Sequence, residues 1–437
     1  MRILMVNSFN YLRGGAERCC FDLSALLEAN GHQVIPFSMA HPRNVPSPYD
    51  DYFVSHIDFP TELRRPGLGP KLNVAERILY SREAKRKIEQ LVADTRPDLV
   101  HIHGFIHEMS TSILPPLKKA GLPVVQTLHD YKIVCPNTTF ISNESVCERC
   151  QGHRYYNIAL HRCKRDSRVA SILAGAEMYF HELFRLYQPN IDIFISPSAF
   201  LAHKVSEHGV SKPIVTIPNF IDPAQFRPHY EPDNYFLYAG RLARPKGILT
   251  LLEAMRQADV TAELRIAGAG DMESELRDFV ARYGLSNVRF LGHLDTAELT
   301  HTMQHALCTI QPSEWYENYS MTVIESLACG TPVVGAAIGG IPEQVRDGVN
   351  GLLFEPGNAT QLAEKIRYLH GRREQAIEMG RAGRRQVELI NGPTAHYEQT
   401  MQVYERLAPR PAPTRPHPAA QPNGPSPQGT DTAETRA

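Results

Sequence analysis

Residues Leu307 to Gly335 read LCTIQPSEWYENYSMTVIESLACGTPVVG. Leu307 to Gln311 is a strand-like apolar run and Pro332 to Gly335 is a second one. Between them lie a polar turn and an apolar run that reads as a helix. Strand, helix and strand in one short stretch form a unit of a parallel sheet covered by helices. The helix is predicted to start near Ser320, a residue type whose hydroxyl caps helix N-termini. Glu317 then lies on the loop before the helix, and Glu325 on its second turn. A helix N-terminus offers unpaired N–H groups and a partial positive charge, which suits a phosphate. Carboxylates on either side can accept hydrogen bonds from hydroxyls. The pattern fits a ligand with hydroxyls at both ends and a diphosphate in the middle, as in a nucleotide sugar.

Working outward, strand-like runs alternate with helical patterns along nearly the whole chain, which predicts an α/β fold. The first series has strands at Ile3 to Val6, Gln33 to Phe37, Leu99 to Ile102, Val124 to Leu128 and Ile193 to Ser196. Ile214 to Pro218 reads as a turn that leads into a Pro-rich connector ending near Asp233. The second series has strands at Phe236 to Ala239, Ala262 to Ala267, Val288 to Leu291, Leu307 to Gln311, Pro332 to Gly335 and Gly351 to Phe354. Helical patterns at Gln361 to His370 and Thr394 to Leu407 follow. The expected division is a first Rossmann-like domain at 1–220, a second at 221–393, a last helix at 394–408 and a disordered, Pro-rich tail at 409–437.

Bulk properties exclude several classes. A chain of 437 residues with 42% hydrophobic content has enough apolar material for two cores. A formal net charge of -1 gives no ground for nucleic-acid binding. No apolar run approaches the ~18–20 residues of a membrane span. Met1 to Asn7 reads as the first strand and not as a leader, so a cytoplasmic protein is expected, with peripheral contact at the inner membrane face through a basic patch. Lys71 to Lys87 is such a basic segment, and a solvated helix face is its preferred reading. Cys19, Cys20, Cys308 and Cys329 read as buried small hydrophobes.

Other constellations carry chemistry. Gly14 and Gly15 follow the first strand and open a helix, where backbone can approach a phosphate, although the spacing is not that of a dinucleotide fingerprint. Arg241 and Lys246 follow the first strand of the second series, at the sheet end where ligands bind in open α/β folds. There they would neutralise charge on a leaving diphosphate. His129 ends a strand and faces the same kind of crevice, while His101 and His103 are weaker candidates, one of them a core residue. Cys135, Cys147, Cys150 and Cys163 fall in one loop, 135–163, that lacks strand or helix patterning and needs a staple. Four thiolates suit a tetrahedral structural zinc, with free packed cysteines as the alternative and His153 or His161 as substitute ligands.

Taken in order and spacing, Gly14-Gly15, His129, Arg241, Lys246, Glu317 and Glu325 resemble the retaining glycosyltransferases of family 4, from Met1 to about Leu407. The resemblance implies the GT-B fold, two Rossmann-like domains facing across a cleft, with the last helix crossing back to the first domain. It implies that Arg241 and Lys246 hold the donor diphosphate, Glu317 the donor sugar and Glu325 the ribose, with His129 near the reaction centre. Gly268 and Gly270, and Leu294 in Gly292-His293-Leu294, match loops that line the nucleoside pocket. The implied donor is a UDP-, GDP- or ADP-sugar, the acceptor a saccharide or a lipid-linked one, and no catalytic metal is expected. Asn318-Tyr319-Ser320 stands where many members have Pro-Phe-Gly, so donor-sugar contacts at these positions should differ. Competing readings are a nucleotide-sugar 2-epimerase on the same fold, a non-catalytic carbohydrate- or nucleotide-binding protein, and a Rossmann oxidoreductase.

Overall fold

The computed structural model describes residues 1–408, so the tail expected at 409–437 lies outside the described residues. Two six-stranded parallel sheets organise the chain. The first runs Gln33–Met39, Arg2–Phe9, Leu99–Ile102, Val124–Thr127, Ile193–Ser196, Ile214–Thr216 across the sheet. The second runs Val288–Gly292, Glu263–Ala267, Tyr235–Ala239, Cys308–Gln311, Val333–Ala336, Gly351–Phe354. By position in its own series the second order is 3-2-1-4-5-6, the order of dinucleotide-binding sheets. It reverses between Tyr235–Ala239 and Cys308–Gln311, and a crevice opens beyond the carboxyl ends of those two strands. The loops entering it are Gly240 to Gly247 and Pro312 to Ser320.

Each sheet is buried on both faces, which is why its strands are near-continuous Val, Ile and Leu runs. One face of the first sheet packs on residues from the end of the chain: Met401, Val403 and Tyr404 lie in the same cluster as Ile3, Met5, Leu23 and Leu27. They belong to the helix Pro393–Leu407. That helix leaves the second domain and packs on the first.

Outside loop 135–163, two elements depart from the sequence reading. Ile214 to Thr216, read as a turn, is the sixth strand of the first sheet, paired with Phe194 to Ser196. Three residues at a sheet edge are too few to show a period. The 18-residue helix Arg373–Ile390 was not anticipated at all. Its buried positions, Ala376, Met379, Gly380, Gly383, Gln386 and Val387, recur every three or four residues but are mostly small or polar, so the stripe carries few large apolar side chains. A Cβ at Gly380 would meet the carbonyl of Gly330, and one at Gly383 would meet Leu327. The helix is held by close backbone approach, which small residues permit and hydrophobicity does not reveal.

Candidate active site

Gly247 has φ of +68° and opens the helix Ile248–Ala258. A Cβ there would strike the carbonyl of Pro312, so glycine lets the two crevice loops lie against one another. Lys246 is thereby brought to Glu317, with Nζ 2.5 Å from Oε1. Ser313 Oγ at 2.8 Å, Trp315 Nε1 at 2.9 Å and Gln311 Nε2 at 3.4 Å donate to the same oxygen. No donor among the described residues reaches Oε2. Burial alone would raise the pKa of Glu317, but the Lys246 charge and the hydrogen bonds from Lys246, Ser313 and Trp315 outweigh it. The carboxyl is held below its ordinary range and is ionised. The Gly340 N–H donates to the Glu317 carbonyl at 2.7 Å and fixes the backbone as well.

Ser320 caps the helix Met321–Ala328 through its hydroxyl, and Gln344 Oε1 accepts the Ser320 N–H at 2.9 Å. Glu325 lies one turn further on, and Arg18 of the other domain is ion-paired to it. Arg18 sits on the helix Gly15–Ala29, the one opened by Gly14 and Gly15. Burial pushes Glu325 up by more than the Arg18 charge pulls it down, so its pKa is raised.

His129 follows the strand Val124–Thr127. Its Nε2 is 2.9 Å from Nδ1 of His103, and the two rings stack at 5.1 Å. His103 lies 4.5 Å, ring to ring, from His101, whose Nδ1 is 2.5 Å from the hydroxyl of Tyr404 on the last helix. His101 is a core residue, fully buried. Burial pushes His129 down to about 4, so it is neutral at physiological pH. A neutral imidazole at a crevice can donate or accept a hydrogen bond but does not add charge.

His129, Lys246, Glu317 and Ser320 meet at a cavity of about 410 Å³ lined from both domains, with Gly15, Ala16 and Cys19 on the side of His129 and Gln311, Trp315, Asn318 and Tyr319 on the other, while Glu325 and Arg18 lie outside its lining. The volume suits a small organic ligand. Two acceptors in its lining, Gln311 Oε1 and Asn318 Oδ1, are buried without a hydrogen-bond partner. Asn318 Nδ2 donates across the cleft to the His129 carbonyl at 2.6 Å. Asn391 Nδ2 donates to the Tyr319 hydroxyl at 2.7 Å.

The remaining sequence candidates lie outside that cavity lining. Arg241 is exposed, follows Gly240 of the lining, and is in no ion pair among the described residues. Gly268 and Gly270 pack backbone to backbone on Gly240 and Leu242, holding the loop that carries Arg241. Leu294 rests against the core beneath. Gly14 precedes the helix of Arg18 without lining the cavity. Cys19, read as buried, is half-buried and faces the cavity, whereas Cys20, Cys308 and Cys329 are in the core.

Sequence reasoning passed over Arg18, Trp315 and Tyr316. Tyr316 hooks the second domain to the cysteine loop of the first. Its hydroxyl donates to Glu148 Oε1 at 2.7 Å, and its ring lies 4.9 Å from Phe200 and 6.2 Å from Phe140. Glu148 stands between Cys147 and Cys150. Loop 135–163, read as free of regular structure, holds a two-strand hairpin, Ile141–Ser142 with Ser145–Val146, and the short helix Asn157–Leu160. The thiol of Cys150 is pushed up to about 12 by burial and by Cys135, Cys147 and Cys163, so the four share one neighbourhood. Zinc–sulfur bonds of ~2.3 Å would draw the sulfurs closer than they lie. Among the described residues only Glu148, Glu207 and His208 offer three ligand atoms within 4.8 Å of one another. The thiols are the right donors for zinc but are not closed to ligand distance.

Two facing parallel sheets, with hydroxyl-seeking acceptors beside Lys246 at the topological switch point, define a GT-B protein built to hold a phosphorylated sugar. Residues 13–225 match the family described as Glycosyltransferase Family 4, and residues 222–386 match Glycosyl transferases group 1. The chain belongs to these GT-B glycosyltransferases. It is 26% identical to a D-inositol 3-phosphate glycosyltransferase of Pseudarthrobacter chlorophenolicus over 84% of this chain and 85% of that protein. It is 29% identical to an uncharacterized glycosyltransferase of Methanocaldococcus jannaschii over 46% of this chain and only 56% of that protein. The structure of Anabaena HepE in complex with UDP and glucose superposes with a TM-score of 0.66 at 18% identity, covering 93% of this chain and 100% of that one.

Proposed function

We propose that this glycosyltransferase moves a hexosyl group from a nucleoside-diphosphate sugar to a saccharide or lipid-linked acceptor, with retention at the anomeric carbon. One observation carries the reading. Glu317 Oε2, Gln311 Oε1 and Asn318 Oδ1 are acceptors without donors among the described residues in one cavity, next to Lys246, with Arg241 following Gly240 of the same lining. Sugar hydroxyls are donors that fit the first three, and a diphosphate fits the two cations. A uridine donor is the first to test, since HepE is complexed with UDP and glucose.

In this mechanism Lys246 and Arg241 stabilise the charge that grows on the leaving diphosphate. Glu317, engaged on Oε1 by Lys246, Ser313 and Trp315, orients the sugar through its other oxygen and is not a nucleophile. Glu325 accepts from the ribose once Arg18 shares or yields it. His129, neutral, hydrogen-bonds the donor sugar near the reacting carbon. The acceptor hydroxyl approaches from the face on which the diphosphate leaves and passes its proton to that diphosphate. A zinc held by Cys135, Cys147, Cys150 and Cys163 would staple the loop that carries Glu148. Elemental analysis of the purified protein tests that, and metal-free protein with an intact loop would remove it.

A panel of UDP-, GDP- and ADP-sugars screened by thermal shift tests the donor. A ligand at a hundred times its dissociation constant contributes ~2.7 kcal/mol and raises Tm visibly. No shift with any of them would sink the reading. Incubating the stabilising donor without acceptor separates transfer from 2-epimerisation, since an epimer would form only in the second case.

A further inference from the structure

Among the described residues fifteen large hydrophobic side chains are exposed, and nine of them fall on or beside three neighbouring helices of the first domain. Leu68 and Leu72 come from the start of the helix Gly69–Tyr80, Tyr156 and Leu160 from the helix Asn157–Leu160 and its approach, and Val169, Ile172, Tyr179, Leu183 and Phe184 from the helix Arg168–Leu183 and its end. On that last helix Val169, Ile172, Ala176, Tyr179 and Leu183 are all exposed. Their spacing of three, four, three and four places them in one stripe along a helix of about 24 Å. The opposite stripe, Ser171, Ala174, Gly175, Glu177, Met178 and His181, is buried. The helix is thus amphipathic with the polarity reversed, since its apolar stripe faces out.

We infer that this surface docks on an anionic lipid bilayer. The charges around the stripe select that partner. Arg154, Arg162, Arg165, Arg168 and Arg185 are exposed, and none is in an ion pair among the described residues. The exposed acids of the same stretch are Asp166 and Glu182, and Glu182 is engaged by His153 at 2.9 Å. A chain of net charge -1 therefore places a cluster of unpaired cations on and beside the segments that carry its exposed apolar stripe. Apolar side chains inserted at the headgroup boundary, ringed by arginines that meet lipid phosphates, are the two components of interfacial binding. In the basic segment Lys71 to Lys87 part of the charge is engaged: Arg77 is buried and donates to the Ser55 carbonyl, Lys85 pairs with Glu89, and Lys87 donates to the Phe53 carbonyl at 2.5 Å, while Lys71, Arg82 and Arg86 are exposed without an ion pair among the described residues.

The placement also suits the reaction, a link that rests on the proposed sugar transfer. Glu177, on the buried stripe, holds Lys132 Nζ at 2.6 Å and His107 Nε2 at 3.2 Å. Lys132 and His107 line a cavity with His129 and His103. One helix thickness therefore separates the outward stripe from the acceptor side of the cleft, so a lipid-linked acceptor can reach the site from the bilayer.

Co-sedimentation of the full chain with vesicles tests the inference. Phosphatidylcholine vesicles containing phosphatidylglycerol should carry the protein down at low salt, pure phosphatidylcholine should not, and high salt should weaken binding. The double variant Ile172→Glu, Leu183→Glu should lose vesicle binding by more than about tenfold, while nucleotide release from the donor in solution stays unchanged. Arg165→Gln with Arg168→Gln, which leaves the apolar stripe intact, should shift the salt dependence alone. No binding of the wild type to anionic vesicles at low salt would overturn the inference. So would a wild-type dimer in light scattering that Ile172→Glu, Leu183→Glu makes monomeric, because the stripe would then be a contact between copies. Either outcome leaves donor binding, and with it the proposed activity, standing.

Discussion

Glu317 and Glu325 belong to one loop and one helix, yet the fold treats them oppositely. Glu317 is held by groups of its own domain: Lys246, Ser313, Trp315 and Gln311. Glu325 is held by Arg18, from the other side of the cleft. The first carboxyl is kept below its ordinary pKa and the second above it. The difference separates a preorganised charge from a conditional one. Glu317 keeps its partners however the domains move, whereas Glu325 depends on the cleft being closed on Arg18.

The comparison breaks most visibly at Lys246. Lys246→Ala removes both the partner of Glu317 and a cation for the leaving diphosphate. Losing one such stabiliser costs about 3–4 kcal/mol of barrier. Turnover should fall at least about a hundredfold in steady-state assays. Near wild-type turnover would show that Lys246 only holds the loop.

At Glu325 the expected effect is smaller and lies in binding. Glu325→Gln should raise the donor KM about tenfold and leave kcat within about threefold, the pattern of an interaction made equally before and during reaction. Arg18→Gln should move KM less. A kcat loss in Glu325→Gln matching that of Lys246→Ala would erase the distinction between the two glutamates.

How far the sequence disclosed this arrangement follows from what each contact needs. The alternation of strands and helices and the loop positions of Lys246 and Glu317 are local patterns and were legible. The cap at Ser320 was legible for the same reason. Arg18 was not, because an ion pair across 307 residues leaves no trace in spacing. Tyr316 was hidden for a similar reason: a tyrosine beside a site glutamate looks like filler until Glu148, Phe200 and Phe140 are brought around it from the other domain. The helix Arg373–Ile390 escaped because its buried face is built largely of Ala, Gly and Gln in place of large apolar residues, and close packing at Gly380 and Gly383 shows only in the structure. The exposed stripe of Arg168–Leu183 shows the converse, since periodicity gives a helix its two faces but not which one is covered.

Tyr316 sharpens the comparison, since it ties the neighbour of Glu317 to the first domain. Tyr316→Phe keeps the ring contacts and removes the hydroxyl bond to Glu148. A roughly threefold rise in donor KM is expected, the cost of about one ordinary hydrogen bond held partly in solvent. Trp315, the chain's one tryptophan, precedes Tyr316 and donates to Glu317 Oε1 at 2.9 Å, and should change its fluorescence in the same variant. Unchanged fluorescence and KM would show that Glu317 is indifferent to the domain contact.

The smallest effect is in pH. The folded pKa of Glu317 is depressed, so its ionisation contributes stability above the ordinary glutamate range, and that contribution is lost as pH falls through the folded value. The folded pKa of Glu325 is raised, so its buried charge costs stability at neutral pH, and the cost fades as pH falls through the raised value. A shared background lies beneath both. His101, held at about 3, and His396, at about 4, are buried neutral, and the partly buried His129 is held at about 4 too, so acid weakens every version of the chain as pH drops below about 6.5. Comparing each variant with wild type at the same pH cancels that background. Glu325→Gln should be the more stable at neutral pH, by about 2 °C in Tm, and should lose that advantage on acidification. Glu317→Gln should start less stable than wild type and converge with it at the acid end. Parallel curves for the two variants would mean that one electrostatic environment, not two, spans the loop and the helix.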